Sequence, residues 1–91
     1  MIRDVKEIVQ YYRNKIKDNN SKIKQLRNQA TEYETIIDVI TRTDINSQIL
    51  QNYKSKIEQC SNKIDDYLEE NKHNHDLIIT MKKVNKIIKN K

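Results

Sequence analysis

Stepping along the chain alternately by three and four residues from Ile2 meets Ile2, Val5, Val9, Tyr12, Ile16, Asn19, Ile23, Leu26, Ala30, Tyr33, Ile37 and Ile40. Eleven of these twelve positions are apolar or tyrosyl, Asn19 being the exception. A strict 3,4 repeat lays one narrow stripe along a helix that meets a partner helix, the a/d seam of a coiled coil. The same stepping from Leu50 meets Leu50, Tyr53, Ile57, Cys60, Ile64, Tyr67, Asn71, Asn74, Ile78, Met81, Asn85 and Ile88, of which nine fit and three are asparagine. Between the stripes, residues 41–48 are rich in side chains that favour caps and turns.

The pattern predicts an all-α, antiparallel two-helix coiled-coil hairpin spanning 1–91 as a single domain. Helix 1 is expected over about 2–41, the turn over about 42–46 and helix 2 over about 47–89. Thr43, Asp44 or Asn46 is expected to cap helix 2. The chain contains no Gly and no Pro, so the turn rests on capping chemistry, and one continuous helix is the competing arrangement.

Folding the stripes together with Ile40 opposite Leu50 makes every facing pair of residue numbers sum to 90. This register places Asn19 opposite Asn71 and Ala30 opposite Cys60. A buried asparagine is costly unless its amide finds a partner, so a matched pair fixes the register. Rim neighbours oppose slippage: Ile8 approaches Val84, Lys22 approaches Glu70 and Glu34 approaches Lys54. Residues 71–76 are the weak stretch, because two seam positions are polar and Leu77, Met81, Val84 and Ile88 form a competing stripe. A kink is expected there, with Asn74 or Asp76 as a new cap and a short third helix over about 76–89 as the variant fold.

Ile8, Tyr11, Ile36, Val39, Ile49, Leu77, Val84 and Ile87 fall on the c and g positions, off the seam. A two-helix hairpin buries one stripe only, so these residues are the expected interface with another helical surface. A second copy, giving a dimer assembled as a helical bundle, is the first expectation. A hairpin of 91 residues buries too little surface to be comfortable alone. A different helical protein is the other.

Composition narrows the chemistry. Without Gly, the glycine-loop nucleotide-binding folds are excluded. Cys60 is the single cysteine, so no intramolecular disulfide forms and a reducing, cytoplasmic home is expected. The longest apolar run, residues 77–79, is far too short for a membrane span or a signal-peptide core. Lys, Asn, Ile and Tyr make up 45 of the 91 residues; their A/T-rich codons point to an A/T-rich bacterium, its phage or plasmid, with a protist or a large DNA virus as the alternative source.

The net charge of +5 is divided unevenly, with +5 over 1–30, −3 over 31–50, −2 over 51–70 and +5 over 71–91. In a hairpin the two basic segments coincide. A helix of about 40 residues is roughly 60 Å long, several Debye lengths at physiological salt, so the two ends act independently. Lys82, Lys83, Lys86 and Lys89 are candidate anion-binding residues, although lysines also suit a helix C-terminus for dipole reasons alone.

No catalytic constellation is visible, and no cofactor is expected. His73 and His75 point to different helix faces, so with Asp76 they make no metal site. Cys60 reads as a buried thiol opposite Ala30, and Tyr12, Tyr33, Tyr53 and Tyr67 read as core residues with hydroxyls at the rim. In length and central turn the chain resembles the small helical hairpins exported by type VII secretion, without their Trp-x-Gly turn; that resemblance implies a helical-hairpin partner in a secretion system. The leading expectation is a non-enzymatic protein–protein interaction module, a regulator, adaptor or assembly factor. A small basic nucleic-acid-binding protein using the lysine-rich end is the second.

Overall fold

A computed structural model of the chain describes residues 4–43 and 47–89. Two α-helices, α1 (Val5–Thr43) and α2 (Ser47–Lys89), form an all-α hairpin. Contacts divide it into a terminal unit, Met1–Asn20 with Tyr67–Lys91, and a central unit, Ser21–Asp66.

Asp4 starts α1. Its carboxylate accepts the Lys6 amide at 3.3 Å, and its carbonyl accepts the amides of Glu7 at 3.0 Å and Ile8 at 3.2 Å. Asp4 is therefore the N-cap of a helix that begins at Val5, and Glu7 in the first turn suits the positive helix end. Ile2, the first seam position, lies outside the described residues.

Thr43 does not cap α2. It is the last residue of α1, where its hydroxyl donates to the carbonyls of Val39 at 2.9 Å and Ile40 at 3.3 Å. Thr31, Thr35 and Thr41 bond back to the carbonyls of Arg27, Thr31 and Ile37 in the same way, as helical threonines do. Asp44 and Asn46, the other expected caps, lie outside the described residues.

Within the terminal unit the seam buries Val9, Asn19, Asn74 and Ile78, with Tyr12, Ile16, Tyr67, Asn71, Met81 and Asn85 half-buried. Asn19 Nδ2 donates to Asn71 Oδ1 at 3.0 Å, and Asn71 Nδ2 donates to Asn20 Oδ1 at 2.9 Å. A direct bond between residues 52 apart requires the chain to fold back, which rules out the continuous helix.

The same bonds explain why the expected break over 71–76 is missing. α2 runs unbroken through it, and no third helix occurs among the described residues. With the Asn71 amide satisfied across the seam, nothing is gained by sacrificing backbone hydrogen bonds for a cap. The apolar phase holds as well, since Ile78 is 4% exposed while Val84, on the competing stripe, is 39% exposed. Asn74 is a buried mid-helix residue, and its Nδ2 has no hydrogen-bond partner. Ile88, a seam position by spacing, is 60% exposed.

Within the central unit the seam buries Ile23, Ile40 and Cys60, with Leu26, Ala30, Tyr33, Ile37, Leu50, Tyr53, Ile57 and Ile64 half-buried. The rings of Tyr33 and Tyr53 meet at 5.7 Å with a 50° tilt, and Lys56 Nζ lies 5.6 Å and 4.9 Å from their centroids. An open groove of about 190 Å³ runs over Leu26, Tyr33 and Cys60, where the short Cys60 side chain leaves space. Glu34 and Lys54, expected to pair, are not within ion-pair distance; both are exposed, where such a pair offers little energy. Arg42 pairs instead with Asp38, one turn apart on α1 at 3.2 Å.

Candidate interaction surfaces

The occupied seam sorts the remaining positions into two flanks. On an antiparallel pair the g and c positions of both helices lie to one side of the seam, and the e and b positions to the other. In the terminal unit these flanks have different chemistry.

The g/c flank of the terminal unit carries Ile8, Tyr11, Leu77, Val84 and Ile87. Ile8 and Leu77 are half-buried, whereas Tyr11, Val84 and Ile87 remain 47%, 39% and 62% exposed. Tyr11 is held rather than loose. Its ring meets that of Tyr12 edge-on at 5.2 Å and 74°, and Lys15 Nζ lies 5.1 Å from its centroid. The Lys15 ammonium is held above its usual pKa, first by a side-chain hydrogen bond with Tyr11, then by charge on that phenol and on Glu70. The neighbouring ring and the cation restrict the orientation of the Tyr11 ring while it stays exposed.

The corresponding positions of the central unit carry Ile36, half-buried, with Val39 and Ile49 exposed. All eight residues read from the sequence as an interface thus lie off the seam, three half-buried and five exposed. Leu68 and Ile79, at 44% and 41% exposure, are further uncovered apolar residues of the terminal unit that the spacing did not single out, because each stands alone among polar neighbours on the e/b flank.

That e/b flank is cationic. Its positions hold Lys6, Arg13 and Lys17 from α1 and Lys72, Lys82, Lys86 and Lys89 from α2, all exposed. The six acidic residues of the terminal unit, Asp4, Glu7, Asp18, Glu69, Glu70 and Asp76, all occupy c, f or g positions. A groove of about 380 Å³ opens on this flank, with Val5 and Val9 as its floor and Lys6, Gln10, Arg13, Lys82 and Asn85 as its walls. Among the described residues, no carboxylate stands within ion-pair distance of Lys6, Arg13 or Lys82.

The four lysines singled out by sequence are therefore divided. Lys82 lines the groove, Lys86 and Lys89 lie on the same flank by spacing, and Lys83 falls on the outward back of α2. The α1 cations escaped sequence reasoning because they are scattered at i and i+7, not gathered in a run, and only the fold brings them beside Lys82. Cys60 is buried. Among the described residues no three His, Cys, Asp or Glu side chains gather as a metal site, and no helix is long and apolar enough to cross a membrane. No protein-family model, curated protein or solved structure matches this chain.

Proposed function

We propose that this chain is a non-enzymatic protein–protein interaction module, a regulator, adaptor or assembly factor, that acts through the apolar g/c flank of its hairpin. The observation that carries this reading is the exposure of Tyr11, Val84 and Ile87 on one flank of the terminal unit, matched on the central unit by Val39 and Ile49. The seam is already filled, so these side chains contribute nothing to it. Burying an Ile or Val side chain against a partner is worth roughly 1.5–3 kcal/mol, and a rigid, braced tyrosine loses little entropy on contact.

A second copy of the chain is the first partner to test, since a two-helix layer gains most by becoming a bundle. The experiment is light scattering of the wild type and of a Tyr11→Glu, Val84→Glu, Ile87→Glu variant, followed by affinity capture from the native host with both proteins. The expected result is a dimer, or a captured host protein, that the triple variant loses. Wild type and variant that are both monomeric, and that capture the same proteins, would overturn the reading. The three sites are exposed, so the variant should keep its helical circular dichroism.

A further inference from the structure

We infer that the cationic flank of the terminal unit is a second binding surface, built to hold the phosphate backbone of duplex nucleic acid without reading its sequence. It lies on the opposite side of the seam from the apolar flank and does not rest on the interaction reading.

Three observations converge on a phosphate array. First, the cations come from both helices, and the groove lined by Lys6, Arg13 and Lys82 joins them into one surface. Second, acids are excluded from it although the unit contains six, so the potential there is not cancelled locally. Third, Lys6 and Arg13 recur two helical turns apart, and Lys82 and Lys89 do likewise. That spacing is about 10 Å on a straight helix, so a rigid flank meets several closely spaced phosphates at once. Asn85 in the groove wall adds an uncharged amide donor for phosphate oxygens, while the Gln10 amide already donates to Asn14 at 2.9 Å.

The composition of the flank selects among anions. Protein interfaces are depleted in lysine and rely on large aromatic anchors, whereas six of these seven cations are lysine, no Tyr, Trp or Phe lies among them, and the exposed Leu68 and Ile79 of the flank stand apart, about three turns from each other along α2. Without an aromatic platform, unstacked bases of a single strand have nothing to pile on. Without a recognition helix presenting polar side chains to a groove, base edges go unread. What remains is charge against the duplex backbone.

The test is fluorescence-anisotropy titration of a labelled duplex of about 20 base pairs of arbitrary sequence, at several salt concentrations. Binding should weaken linearly in log–log form with salt. Lys6→Gln with Arg13→Gln should weaken it roughly tenfold at low salt and reduce the slope by about 2, one unit per lost phosphate contact. A control with the same net charge, Lys83→Gln with Arg42→Gln, removes cations on the outward backs of the two helices and should leave both quantities close to wild type. Equal losses in variant and control would show that net charge alone drives binding, and would sink the proposed surface. So would undetectable binding at low salt, or tighter binding to vesicles of one-third phosphatidylserine than to the duplex. None of these substitutions touches the apolar flank, so its fate in light scattering is read separately.

Discussion

On the e and b positions of the terminal unit stand seven cations and no acid, whereas the same positions of the central unit carry Lys24, Arg27 and Lys54 against Glu34, Asp38, Glu58 and Asp65. The seams differ too. In the central unit every described seam residue is apolar, tyrosyl or cysteine, while the terminal unit places Asn19, Asn71, Asn74 and Asn85 there. One repeat therefore supports two kinds of unit. One has an apolar seam with mixed charge on its flank, the other a seam interrupted by asparagine with cations alone on that flank. An uncancelled charge array and a polar core both oppose tight folding, so the terminal unit is expected to be the less stable of the two.

The contrast is most directly broken at the apolar contacts of the terminal seam. Ile78→Ala removes one of that unit's two buried aliphatic side chains and should cost about 2–4 kcal/mol, lowering the melting temperature by on the order of 10–20 °C in a chain of this size. A loss below about 1 kcal/mol in thermal unfolding would mean that Ile78 carries little of that unit's stability.

Next in size are the asparagines. Asn74→Leu removes a buried amide whose Nδ2 lacks a partner and should stabilise the protein by about 1–2 kcal/mol. Asn19→Leu alone leaves the Asn71 carbonyl without its donor and should destabilise by about 1 kcal/mol. Native-state hydrogen exchange checks both changes, together with the expected order in which terminal-unit amides open at lower free energy than central ones. Uniform protection along both helices would erase the distinction between the units.

The smallest effect is electrostatic. Because Lys15 has a raised pKa in the folded state, its contribution is fully present below its unfolded pKa and fades as pH rises through the folded value. Tyr11→Phe removes the first cause of that shift, so the wild type should lose slightly more stability than the variant between about pH 9 and 12, measured by urea unfolding across that window. Parallel pH profiles would show that the Tyr11–Lys15 contact does not persist in solution.

The sequence alone determined the helices, their antiparallel pairing and the register. A 3,4 repeat admits one buried stripe, and matched asparagines tolerate one alignment, as the 3.0 Å Asn19–Asn71 bond shows. Local cues were less reliable at the ends and at the polar stretch. Asp4 caps α1, Thr43 closes α1 instead of opening α2, and residues 71–76 stay helical. Each outcome turned on which hydrogen-bond partner lay within reach, a quantity that residue type does not fix. The apolar flank was legible because its residues recur at helical spacing. The cationic flank was legible only as two basic segments meeting at one end, since Lys6 and Arg13 on one helix and Lys82 on the other are separated by most of the chain. Only the tertiary structure brought them to the walls of one groove, because charge acts through distance in space and not along the sequence.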